Sequence, residues 1–280
     1  MMKLFSNSVI VVIVAVVIAG EGTAEAASVG PFSVVRVEEV KNKAKGEYCT
    51  VSGGKQNSAG PKDAIYSSVG GGTENQSDGN GSSISGGSGN RISHSVDGSE
   101  FINNLYSSIS GGVNNLIEKG TTCAISGGNG NIIQDSTGEA RDGTISGGSS
   151  NVISSGNGNV ITGGMDNAST TKSQVRIDDT VITGGKDNKV DENYAVVIGG
   201  IDNAAIGKYS IAFGRNAVAD KDNSMAVNLN EEELKTTAKG DFLIAAESFL
   251  FQIGSGKKDG SSILFDKTNI KILKDLLDEQ

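Results

Sequence analysis

Large side chains are what this sequence largely does without. Among 280 residues there is no tryptophan, there are only 2 prolines, and aromatics make up 5%. Such a chain cannot fill a wide interior at native density, but it can fill a narrow one lined by Ile, Val and Ala. One histidine and 2 cysteines leave little material for metal or nucleophilic chemistry. His94 has no motif around it and reads as a solvated loop residue. There is no G-x-x-x-x-G-K-(S/T) phosphate loop, and no Gly-x-Ser-x-Gly elbow between a strand and a helix. The expectation is a non-enzyme without cofactor. Positive charge is also short: 24 Lys and Arg against 33 Asp and Glu give a net charge of −9, which argues against a nucleic acid or an anionic membrane as partner. The 40 glycines follow no three-residue period, which excludes collagen.

Long apolar runs are missing as well. The longest, Val9 to Ala19, follows Lys3 and precedes the small-x-small site Ala24-Glu25-Ala26. It is shorter than the ~20 residues a spanning helix needs. Residues 1–26 therefore read as a secretory signal, and the expected product is secreted or held at the cell surface, with no transmembrane anchor after cleavage.

What is present is a repeat. An apolar residue, a spacer, two glycines, two spacers and an asparagine begin at Val51 and return at Val69, Ile84, Ile109, Ile125, Ile145, Ile161, Ile182, Val197 and Ile211. The asparagines are Asn57, Asn75, Asn90, Asn115, Asn131, Asn151, Asn167, Asn188 and Asn203, with Ala217 in the tenth copy. A second apolar column, Ile92, Ile117, Ile133, Ile153 and Val190, follows the asparagines. Two short strands per copy around a glycine corner predict an all-β, parallel β-roll or β-solenoid of about ten coils. The apolar register held through every copy argues against disorder. Stacked coils would let the asparagine amides bond to one another as a ladder. Cys49 and Cys123 share a column four coils apart, about 19 Å at the usual strand spacing, too far for an intrachain disulfide.

The copies are spaced by 18, 15, 25, 16, 20, 16, 21, 15, 14 and 14 residues, counting a degenerate coil at Met225. The longer ones must extrude loops, and such loops are candidate binding elements. Phe101 and Tyr106 stand in the longest insertion, near His94, Asp97, Glu100 and Leu105, and Lys172 and Arg176 in another. Asp166, Asp187 and Asp202 precede the asparagine in three successive copies and form a candidate cation column. Of three glycosylation sequons, Asn75 and Asn167 belong to the ladder, which leaves Asn80 as the accessible candidate. Ser52, Ser85, Ser110, Ser126, Ser146, Thr162 and Thr183 form a hydroxyl column, the basis of an alternative reading as an ice- or mineral-binding surface.

Ser210-Ile211-Ala212-Phe213-Gly214-Arg215-Asn216-Ala217-Val218-Ala219 resembles the head repeat of YadA-like trimeric autotransporter adhesins, over about residues 48–230. The resemblance implies a left-handed parallel β-roll and a homotrimer whose apolar faces meet. It further implies an adhesin-like module for an extracellular surface, glycan or matrix ligand. The family's stalk and β-barrel anchor are not found in this sequence. Residues 27–47 read as a lead-in cap, and 231–280 as a C-terminal cap. In that cap a hairpin spans Phe249–Ile253 and Ser262–Asp266, and a short helix begins at Asn269 with Ile272, Leu273, Leu276 and Leu277 on one face.

Overall fold

A computed structural model of the chain describes residues 16–19, 34–37, 41–61, 64–93, 106–134, 141–154, 156–170, 177–253 and 261–266. The described chain is an all-β, parallel solenoid of about eleven turns, with no helix among those residues. Each coil gives one strand to each of two sheets. The first sheet has 14 strands, from Val16–Ala19 to Phe242–Ala245, and the second has 12, from Lys43–Ala44 to Leu234–Lys235. Neighbours in each sheet come from successive coils. Most strands are two residues long, such as Thr50–Val51 and Ser58–Ala59. Strands so short are stable only because coils above and below satisfy their backbone groups.

The ladder extends beyond the span read from the repeat. It continues past residue 230 through Leu234–Lys235 and Phe242–Ala245. At the other end, Val16–Ala19 pairs with Val34–Val37, which pairs with the strand at Thr50–Val51. Cleavage after Ala26 would remove the first of these strands and leave Val34–Val37 at the edge. The expected hairpin is present as an antiparallel pair, Ser248–Ile253 with Ser261–Asp266. The helix expected from Asn269 lies outside the described residues, as does most of the leader.

The interior belongs to a single chain. Val51, Val69, Ile84, Ile109, Ile125, Ile145, Ile161, Ile182 and Val197 line the first sheet, and Ala59, Ile92, Ile117, Ile133, Ile153, Val190 and Ala205 line the second; all are buried. In the last coils Ala212, Ala219 and Ala226 take over. The apolar columns face their own coil, so association between chains would need other surfaces. The tenth copy is corrected by one residue: Val197 pairs with Ala212, and Ile211 pairs with Val196. Phe213-Gly214 carries one glycine where earlier coils carry two, and the sheet absorbs the difference in a register shift between Val197 and Gly200.

The asparagine ladder forms as the amide chemistry predicts. Asn131 donates from Nδ2 to the Gly127 carbonyl at 2.9 Å and the Gly148 carbonyl at 3.1 Å, while its Oδ1 accepts the Asn151 backbone N–H at 3.1 Å. One buried amide thereby satisfies groups on two coils. The ladder starts one coil before the recognised repeat, where Asn42 Oδ1 accepts the Asn57 N–H at 2.9 Å. It ends where the Ala217 N–H bonds to Asn203 Oδ1 at 3.0 Å. Beside each rung the second glycine of the pair is sterically required. A Cβ on Gly87 would lie 2.1 Å from the Gly112 carbonyl oxygen of the next coil.

Candidate binding edge

Two corners join the sheets in each coil, and both contain a residue in the left-handed conformation. At the glycine corner this residue precedes the asparagine: Gln56, Glu74, Asn114, Ser150, Asp166, Asp187, Asp202 and Asn216 all have φ between 53° and 58°. Short polar side chains that bond to local backbone are the L-residues most at ease there. The aspartates of the candidate cation column thus have a conformational reason to be present. Asp187 is paired with Lys186 at 3.5 Å, and Lys189 pairs with Asp191 at 3.3 Å. Among the described residues no three His, Cys, Asp or Glu side chains gather as a metal site.

The opposite corner holds what sequence reasoning missed. Its left-handed position is occupied, coil by coil, by Tyr48, Tyr66, Gly81, Tyr106, Thr122, Asp142, Gly158, Asp179, Tyr194, Tyr209, Asn223 and Gly240. Backbone bonds tie the column together: Tyr66 N–H to Glu47 C=O at 3.0 Å, Gly81 to Ile65 at 2.9 Å, and Tyr106 to Asn80 at 2.9 Å. All 5 tyrosines of the protein are in this one column. Their spacings of 18, 40, 88 and 15 residues show no period, and only coil-by-coil alignment reveals it.

A tyrosine is costly at such a position. A bulky L-residue held at positive φ forfeits about 1–3 kcal/mol, and Gly, Asn or Asp in the other coils avoids most of that. Stacking returns part of it. Tyr48 and Tyr66 stack at 5.0 Å with rings 13° apart, and Tyr194 and Tyr209 at 4.7 Å and 4°; such pairs contribute about 0.5–1.5 kcal/mol. Lys208 Nζ stands 5.3 Å over the Tyr209 ring. Tyr106 has no stacked ring among the described residues and is 71% exposed. It leans instead over Gly81, where an added Cβ would lie 2.7 Å from a Tyr106 ring carbon.

The longer insertions fall at this same edge in the chain order. Residues 94–105, 135–140 and 171–176 each follow a strand of the second sheet and precede the corner. Of the candidate loop residues, Tyr106 is in the tyrosine column. Phe101, Lys172, Arg176 and His94 lie outside the described residues. Asn80, the sequon candidate, is half-buried beside Tyr66; its Oδ1 accepts the Ile65 N–H at 2.8 Å, and its Nδ2 has no partner among the described residues. The ladder sequons Asn75 and Asn167 are fully buried.

Just inside the tyrosine corner runs a column of small buried residues, Cys49, Ser67, Ser82, Ser107, Cys123, Thr180, Ala195 and Ser210. The two cysteines stand four coils apart in it and form no disulfide with each other. Burial pushes the Cys49 thiol up from its ordinary value against the hydrogen bonds it makes.

The outer face of the first sheet changes character along the axis. In the early coils its outward positions are hydroxyls: Thr50 and Ser52, Ser83 and Ser85, Ser108 and Ser110, Thr144 and Ser146. From Val160 onward one outward column becomes Val181, Val196, Ile211, Met225 and Phe242. Beside it Ile198, Phe213 and Ile244 are exposed. A separate shallow cavity of about 310 Å³ on the first coils of the second sheet is lined by Lys41, Lys43, Lys45, Gln56, Ser58 and Gln76.

No protein-family model matches the chain, and comparison with curated proteins finds no match.

Proposed function

We propose that this chain is an exported, non-enzymatic binding module of the adhesin-like kind, a homotrimer that offers one edge to an extracellular surface, glycan or matrix ligand. The observation that carries this reading is that all five tyrosines line one edge, the edge at which the longer insertions enter the chain. The tyrosines occupy strained backbone positions without gaining burial, which favours a role outside the fold. Three copies would add avidity that a single shallow edge lacks.

The apolar outer face of the late coils supports self-association. Exposed Ile198, Phe213, Phe242 and Ile244 form the kind of contiguous surface that monomers rarely leave open. Native mass measurement tests it: a trimer is expected, and Phe213→Asp should shift the mass to that of one chain. A wild-type monomer would overturn the oligomer. Binding to host or matrix surfaces, assayed with the wild-type protein, tests the module itself.

The paired hydroxyl columns of the early coils favour a second reading, an ice- or mineral-ordering face. Gly70 and Ala124 interrupt those columns, and serine rather than threonine predominates. Absence of thermal hysteresis at high protein concentration would remove the ice reading.

A further inference from the structure

We propose that Tyr48, Tyr66 and Tyr106, with Gly81 between the last two, form an aromatic platform that binds a neutral glycan. This names the ligand class of the edge described above and rests on that reading.

Tyr48 covers one face of Tyr66, and the other face looks toward the coil where Gly81 has no side chain. Tyr106, one coil further, leans across the same glycine. The Tyr106 ring thus fills the space over Gly81, and with Tyr66 it presents an exposed aromatic surface suited to a sugar ring whose C–H face rests on an aromatic face. Polar groups border the three rings at either end. The Asn80 Nδ2 has no partner among the described residues, while its Oδ1 accepts the Ile65 N–H. The Glu47 carboxylate lies near Tyr48; partial desolvation and that carboxylate together push the Tyr48 phenol up. Donor, acceptor and aromatic platform together match the alternating hydroxyls and C–H patches of a saccharide.

Size and charge narrow the occupant. Tyr48, Ile65, Tyr66 and Tyr106 are 41%, 37%, 64% and 71% exposed, which offers about 400 Å². That is half the ~800 Å² per partner of a stable protein interface, yet ample for one or two sugar units. Glu47 and the net charge of −9 disfavour an anionic chain. Anionic glycans would find their charge match at Lys41, Lys43 and Lys45 instead, none of which forms an ion pair among the described residues.

With no tryptophan in the chain and all 5 tyrosines in this column, intrinsic ultraviolet fluorescence reports on the column alone. The full secreted protein is titrated with soluble glucans, mannans and galactans, with heparin as the anionic probe, by fluorescence and by affinity electrophoresis. Tyr66→Asn and Tyr106→Asn keep a residue suited to positive φ, and Gly81→Asn displaces the Tyr106 ring from its place over the glycine. Lys186→Gln, exposed at the opposite, glycine corner, is the distant control, and unchanged thermal melting certifies each variant.

Expected is a tyrosine signal change with a neutral glycan, about tenfold weaker binding in Tyr66→Asn, Tyr106→Asn and Gly81→Asn, and unchanged binding in Lys186→Gln. Equal neutral-glycan binding by all variants overturns the site, and so does binding of heparin alone. If the wild-type protein adheres to matrix surfaces and these variants adhere equally, the adhesin reading stands and the glycan site falls. If the wild type binds neither matrix nor glycan, both fall.

Discussion

The asparagine rung shows how much one side chain can hold in a fold of two-residue strands. Removing the Asn131 amide leaves the Asn151 N–H and the carbonyls of Gly127 and Gly148 without their side-chain partner. Buried groups so orphaned cost about 1–3 kcal/mol each. Asn131→Ala should therefore open neighbouring coils, read as faster amide exchange around Asn131 and Asn151. By contrast Ser77 Oγ is buried without a partner in a column where Ala59 serves, and Ser77→Ala should leave melting unchanged or raise it slightly. Asp220 is the residue with a pH signature. Burial works to raise its carboxyl, but Lys235 at 3.1 Å, Thr236 at 3.2 Å and Lys221 at 3.6 Å outweigh this and hold it below the usual range. A carboxyl lowered in the folded state lends stability above its unfolded value, and loses it as pH falls through the folded one. Melting curves of wild type and Asp220→Asn should differ at neutral pH and converge below about pH 4.

At the scale of the coil, the corners decide which residue types are allowed. Asp187 holds φ at 55°, so Asp187→Gly should be nearly neutral in thermal melting. Asp187→Ala should cost about 1 kcal/mol. Calcium and chelator should give the same melting temperature, because conformation, not charge, accounts for the aspartate there. This is also where legibility in the sequence stopped. The glycine corner was readable because its residues recur at fixed offsets within every copy. Ile84, Ile92 and their equivalents were readable because burial on both sheets demands an apolar residue each time. The tyrosine corner was not. It stands three residues before the next buried apolar residue, as Tyr48 does before Val51, but variable insertions separate it from the preceding strand, and its left-handed position accepts Tyr, Gly, Asp, Asn or Thr alike. Asn42 was missed because no glycine pair announces it, and Ile211 was placed one residue early because the single Gly214 shortens its corner.

For the whole molecule, stability is set coil against coil rather than around one centre. Isoleucines oppose one another at Ile109 and Ile117, Ile125 and Ile133, and Ile145 and Ile153, whereas the late coils bring together Ala212, Ala219 and Ala226. Apolar area per coil therefore falls toward the C-terminal end. Hydrogen exchange should be slowest near Ile125 and Ile145 and fastest in the alanine coils of a single chain. Protection of those alanine coils that rises with protein concentration would follow from the proposed association through Phe213 and Phe242. The two corners also differ in what they permit. Between Gly86-Gly87 and Asn90 the backbone is tied to the next coil at Gly87, Ser88 and Asn90, and apart from the one-residue shortening at Gly214 the corner keeps its length. At the tyrosine edge the chain leaves after Ser93, Gln134 and Thr170 and returns in register at Tyr106, Arg141 and Ile177. The protein is thus built with one seam open to rewriting. Segments there can be swapped, lengthened or grafted while the rest of the molecule keeps its dimensions.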